Sequence, residues 1–187
     1  MLIKLSAAFF VLLCNIAMFA QQIAPREITF IPNAADSSVS FSLDATMHTV
    51  HGTAGDVKGT VSIVSASSEG FVLDGKIAIA VRSLGTGNDR RDAKMRGESL
   101  AAAEHPEITF APKALDRALH TLSGDLTIRG VSKKVAIPVS VEPAGGRIKV
   151  DGKLDVRWAD HGVPDPSVFL LRVDDVAHTS FHVELVP

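Results

Sequence analysis

The sequence predicts an all-β fold of about eight antiparallel strands with a short helical insert at about residues 88–104. Three observations carry that expectation. Apolar and polar residues alternate with a period of two through most of the chain. Short turn sequences rich in Gly, Ser, Asp and Pro separate the alternating runs. One charged stretch, SLGTGNDRRDAKMRGESLAAAEHPEITF at residues 83–110, breaks the alternation near the middle. Strands with one apolar face each close into a barrel or stack as a sandwich, and alternation alone does not choose between them.

The fold is read from residue 21 onward. Leu5 to Ala20 is an almost unbroken apolar run, preceded by the single charge of Lys4 and followed by Gln21-Gln22. A basic start, a short apolar core and a small residue at the cut predict a signal peptide over residues 1–20, cleaved near Ala20. The run is shorter than the ~20 residues that span a bilayer, and Asn15 interrupts it. The alternatives are an uncleaved anchor and a lipoprotein cysteine at Cys14, although Leu13 precedes Cys14 where a small residue is expected. Cleavage would leave residues 21–187 as one cysteine-free domain, periplasmic or secreted, held together by its core alone. Without Lys4 the chain carries 18 basic and 21 acidic residues, a net charge of −3. Its adjacent basic pairs, Arg90-Arg91 and Lys133-Lys134, lie near acids or turns and read as solvated surface, which argues against a nucleic-acid partner.

The strands follow in order. Val39, Phe41, Leu43, Ala45 and Met47 share one parity, with Ser40, Ser42, Asp44, Thr46 and His48 on the other. Val57, Val61 and Ile63 repeat the spacing, after which Phe71, Leu73, Ile77, Ile79 and Val81 share a face. Past the charged stretch come Ile108 and Phe110, then Leu122, Leu126 and Ile128, then Val135, Ile137, Val139 and Val141. Ile148, Val150, Leu154, Val156 and Trp158 form the next run. The last has Phe181, Val183 and Leu185 on one face and His178, Ser180, His182 and Glu184 on the other. Turns are expected at Asp56–Gly59, Ser67–Gly70, Arg129-Gly130 and Pro143–Gly146. Within the charged stretch, Asn88 or Asp89 caps a helix, Ser99 caps a second short turn and Pro106 stops it. Met95 and Leu100 are its large apolar residues, so it is expected to lie across one end of the strand assembly.

These residues resemble the YceI-like family of polyisoprenoid-binding proteins, which have a lipocalin-like barrel. Ser83-Leu84, Thr86, Asn88, Arg91-Asp92 and Pro106-Glu107-Ile108-Thr109-Phe110 are similar to its central signature. Gly124 to Val131, GDLTIRGV, is similar to its second, with Lys133-Lys134 and Pro138 following. The resemblance covers roughly residues 28–186. It departs after the Arg-Asp pair, where Leu100-Ala101-Ala102-Ala103 stands in place of the aromatic residues that family members often carry.

The resemblance implies an eight-stranded lipocalin-like β-barrel and an apolar ligand inside it, typically a long isoprenoid chain such as a quinone tail. The inward parity then assigns the ligand Phe41, Leu43, Met47, Ile63, Phe71, Ile77, Ile79, Phe110, Leu126, Ile128 and Trp158. Met95 and Leu100 touch the chain or seal the interior. Arg91 and Asp92 have two readings: they meet the ligand's head group at the rim, or Asp92 braces the insert while Arg91 bridges to a neighbouring loop. The residues alone equally allow a filled core in which the same side chains meet one another. A ligand-free barrel serving as an interaction module in envelope assembly or stress response is the alternative function. Other partners expected are a transiently contacted membrane and, at most, a second copy of the chain.

No resident cofactor, metal or catalytic group is assigned. His48 and His51 point to opposite faces of a regular strand unless a bulge at Gly52 rotates one. His178 and His182 share a face about 13 Å apart, too far for ~2 Å bonds to one zinc ion. No G-x-S-x-G elbow, H-E-x-x-H pair or P-loop is present. Asp155, Asp160 and Asp165 have only the look of turn and surface acids.

Overall fold

The computed structural model describes residues 28–167 and 172–187; the expected signal peptide lies outside the described residues. Eleven strand segments form one antiparallel sheet: β1 Ile28–Pro32, β2 Ser38–Ala45, β3 Thr49–Ala54, β4 Val57–Ala66, β5 Gly70–Ala80, β6 Leu84–Gly85, β7 Glu107–Asp116, β8 Thr121–Ile128, β9 Val131–Ala144, β10 Arg147–Arg157 and β11 Val173–Val186. The helix α1, Asp89–Lys94, follows β6.

The segments reduce to eight courses because three courses are broken in the middle. β1 pairs with β4 and β2 with β3, and both β1 and β2 pair with β11. Likewise β3 pairs with β6 and β4 with β5. Thus β1–β2, β3–β4 and β5–β6 each run in one direction around a break. With β7 to β11 they make an up-and-down meander, and β11 closes it onto β1 and β2. Closure decides for the barrel over the sandwich.

Each break is bonded in place. Between β1 and β2, the Asn33 amide donates to the Glu184 carbonyl at 2.7 Å, and the Glu184 amide to Ser37 Oγ at 3.2 Å. Between β3 and β4 the chain bends at Asp56, whose φ is 57°. Lys58 at 2.7 Å and Arg82 at 3.3 Å neutralise its carboxylate, and Ser83 Oγ donates to the Gly55 carbonyl at 2.8 Å. The expected turn at Asp56–Gly59 is therefore a bend without reversal: Gly59 continues the ladder opposite Ile77. The expected reversals at Ser67–Gly70 and Arg129-Gly130 are present, and the reversal after β9 falls at Gly145-Gly146.

The helical insert begins as the sequence predicts. Asn88 caps α1, its Oδ1 accepting from the Arg91 amide at 3.0 Å. The helix then widens into a π turn over Met95–Ser99. Ser99 ends that turn and does not cap a second helix; Ala101, at φ 49°, reverses the chain, and its carbonyl accepts from the amides of Glu104 and His105. A buried apolar cluster lies here: Ala54, Val81 and Leu84 are buried, with Met95, Leu100, Ala102, Ile79 and Ile108 against them.

The outer face carries two parallel histidine–aspartate pairs between β11 and β10. His178 Nδ1 lies 2.7 Å from Asp155 Oδ1, and His182 Nδ1 lies 2.8 Å from Asp151 Oδ1. Gly52 sits in a regular ladder opposite Phe41, so no bulge turns His51 toward His48. The hydrogen bond that His178 donates to Asp155, with the charges of Asp155, Asp44 and Asp174, raises the His178 pKa above its ordinary 6.5 against the opposing effect of burial. The stability this pair contributes is complete below pH 6.5 and is lost as pH rises through the raised value. His178→Gln should lower the thermal midpoint relative to the parent at about pH 5.5 and leave the two equal at about pH 9, followed by circular dichroism.

Candidate functional site

The barrel interior is a continuous apolar lumen of about 880 Å³. All eight courses contribute to its wall. Few of the inward side chains are buried against one another. Phe41, Leu43, Ile63, Phe71, Ile77, Ile79 and Phe110 stay half-buried because their free surfaces look across the lumen. Ordinary protein interiors are packed to crystal density with few voids larger than a water molecule. This interior is lined, not filled.

The two ends differ. One is crossed by the insert, the turn at 46–48 and the segment from Trp158 to Ser167. Arg91, Lys94, Met95, Ser99, Leu100, Trp158, Val163 and Pro166 line the lumen there. Among the described residues, the other end carries the short turns 67–69, 117–120 and 145–146. Asp116, Arg117 and His120 line that mouth, and Arg117 lies over the Phe71 ring, 4.4 Å from its centre. Polar side chains thus gather at the two ends, and among the described residues Thr179 is the exception along the wall.

A polar clamp fixes the insert to the barrel. The Asp92 carboxylate is buried and accepts from the Thr86 amide at 3.0 and 3.1 Å and from the Thr86 hydroxyl. These bonds, with Arg96 and Arg91 nearby, hold its pKa below the ordinary carboxylate value of 3.8 despite burial. Arg91 Nε donates to Thr86 Oγ1 at 2.7 Å and Nη2 to the Thr86 carbonyl at 3.1 Å. Arg96 Nε donates to the Leu84 carbonyl at 2.8 Å. Helix α1 and the π turn after it therefore satisfy the backbone in and just past β6, where the sheet supplies few partners.

A YceI-like domain profile matches residues 31–185. The chain belongs to the YceI-like family. A UPF0312 protein of Pseudomonas syringae pv. syringae (strain B728a) is 30% identical to it over 127 residues, 63% of this chain. The chain spans 65% of the length of that relative. Its barrel is similar in fold to Burkholderia cenocepacia BcnA, with a TM-score of 0.70 at 21% identity, covering 82% of this chain and 98% of that one. A polyisoprenoid-binding domain from Saccharophagus degradans, implicated in plant cell wall breakdown, gives a TM-score of 0.65 at 17% identity, over 84% of this chain and 98% of that one.

Within this YceI-like barrel, twelve of the thirteen apolar residues expected at the interior line the lumen: Phe41, Leu43, Ile63, Phe71, Ile77, Ile79, Met95, Leu100, Phe110, Leu126, Ile128 and Trp158. Met47 does not. It is 78% exposed in the turn between β2 and β3, where the Ala45 amide bonds the His48 carbonyl. The strand ends at Ala45, and the period of two ends with it. Asp92 also leaves the expected rim and lies beneath the insert, so the bracing reading describes it. Arg91 both bridges to Thr86 and lines the lumen, while Arg90 is exposed. Sequence reasoning missed Lys94, Arg117 and His120. Arg117 and His120 flank a turn between two alternating runs, which was the available signal.

Two expectations follow. Met47→Arg should leave stability within about 0.5 kcal/mol, whereas Ile79→Arg places an unpaired charge on the lumen wall and should cost several kcal/mol by denaturant titration. Asp92→Asn should speed amide exchange at Thr86 and in α1 while the strands keep their protection. That difference belongs to neutral pH and should fade as acid protonates Asp92 in the parent, below its ordinary value of 3.8.

Proposed function

We propose that this YceI-like barrel binds an amphiphilic lipid with a long isoprenoid or quinone-like chain and carries or stores it within the cell envelope. The observation that carries the reading is the apolar lumen of about 880 Å³, within the range of about 300–1,000 Å³ usual for small-molecule sites. The wall atoms facing this lumen lack packing partners on one side. An apolar chain supplies the missing contacts. The polyisoprenoid-binding domain among its structural neighbours points to the same class of chain.

The energetics favour exchange over trapping. Each chain methylene moved from water to the lumen gains ~0.8 kcal/mol. A chain of about 40 carbons would nominally exceed the ~20 kcal/mol at which non-covalent affinities saturate. Its real alternative is a bilayer, as apolar as the lumen, so transfer between them is close to thermoneutral. Head-group contacts and mouth geometry then decide direction, which suits a shuttle or reservoir.

Solvent extraction of protein purified from its native source, followed by mass spectrometry, should recover a polyprenyl or quinone species. A clean extract would favour the ligand-free interaction module. A fluorescent isoprenoid shared between liposomes and protein should appear on the protein in proportion to protein excess; no bound fraction at any excess would remove the carrier reading.

A further inference from the structure

Three lumen phenylalanines share one local arrangement. Phe41 stands opposite Gly52 and Phe181 opposite Gly152, each in direct register on the neighbouring strand. Phe110 lies diagonally over Gly124. In each case the ring fills the space that a β-carbon on the glycine would need. Such a carbon on Gly52 would stand 2.7 Å from Phe41 Cε1 and Cε2, and one on Gly152 would stand 2.8 Å from Phe181 Cε1. On Gly124 it would stand 2.5 Å from Phe110 Cζ. Carbon atoms in contact sit about 3.5–4.0 Å apart. With the rings where they are, only glycine fits.

Glycine in a strand interior weakens it and often marks a close approach. Covering it with a neighbouring aromatic ring restores part of the lost packing. In this barrel the contact also decides where the ring goes. A phenylalanine lying over a glycine is laid along the wall, whereas a β-carbon at that glycine would push its ring away. Phe41 and Phe181 sit on adjacent strands, β2 and β11, yet lean apart, toward β3 and β10. The wall between them is left to smaller side chains, Val39 opposite Phe181 and Thr179 opposite Phe41.

We propose that the Phe41–Gly52 and Phe181–Gly152 contacts set the bore of the lumen and make these four residues its selectors of chain width, keeping room for a methyl-branched chain. The inference rests on the lipid reading above and adds the residues that discriminate among lipids. Hydrophobic pockets commonly discriminate about 10–200-fold per methylene-sized difference, so a ring displaced into the bore has a measurable effect.

The test uses the full purified protein and two competitors for a bound fluorescent fatty-chain dye: geranylgeraniol and a linear alcohol of equal main-chain length. Gly52→Ala and Gly152→Ala push flexible ring ends off the wall; Gly124→Ala is avoided because the Ala111 carbonyl oxygen also lies 2.5 Å from the new carbon. Each variant should weaken the branched alcohol about tenfold or more and leave the linear one within about twofold. The double variant Gly152→Ala/Phe181→Leu should recover branched binding. Equal changes for both alcohols, or none, with strands intact by circular dichroism, overturn the proposal. If an alanine variant fails to fold, Phe181→Leu carries the test: it should raise the branched-to-linear affinity ratio, and an unchanged ratio overturns the proposal. A parent protein that displaces its dye with neither alcohol overturns the lipid reading instead. The bore is then read in a crystal structure of Gly152→Ala, where a Phe181 ring turned into the lumen sustains it and an unmoved ring overturns it.

Discussion

Ring closure by backbone hydrogen bonds is the constraint from which the rest follows. Once β11 pairs with β1 and β2, the eight courses and their stagger hold the barrel's radius within narrow limits. In a sandwich, two faces can approach until their side chains meet. A closed ladder cannot shrink without breaking hydrogen bonds. The inward residues are therefore free to line the space without filling it, and most of them remain half-buried. Eight closed courses allow a filled interior or a lumen, and the choice and placement of inward side chains make it a lumen here.

Closure also explains why the polar chemistry collects at the ends. Along most of the courses the ladder satisfies the backbone, and the wall can be apolar almost throughout. At β6 the ladder stops after two residues, and the groups beyond it need other partners. Asp92, Arg91 and Arg96 supply them from one side of a short helix. That anchoring sets Met95 and Leu100 across the interior at the insert end. The conspicuous charged pair in the sequence thus acts first as joinery; Arg91 alone of the two also faces the lumen.

Much of this architecture was legible in the residues, for a physical reason. A half-exposed strand alternates, and nearly every inward residue follows from parity. The Asn88 cap was legible because an unpaired amide at a helix start needs a nearby acceptor. Met47 failed because parity was carried one step past the end of its strand, into a turn where side-chain direction is no longer set by the pleat. Asp56–Gly59 failed because a bend and a reversal use the same residue types. The phenylalanine–glycine contacts could not be read at all. They depend on which residue of one strand faces which residue of the next, and a single sequence does not contain that register. For the same reason the partners of His178 and His182 emerge only once β10 lies beside β11.

The bonded break between β1 and β2 has a consequence of its own. Long strands at a sheet margin are templates on which other chains can stack, and small β proteins commonly defend such margins with charges, prolines or bulges. Here Asn33 and Ser37 turn the interruption back onto Glu184, so both halves of the course stay engaged with β11. Among the described residues the open margins are short: the two-residue β6 and the stretch where β9 and β10 part beyond the Val139–Gly152 pair. Closure onto β11 thus withholds the two outermost margins of the meander from self-templated fibre growth.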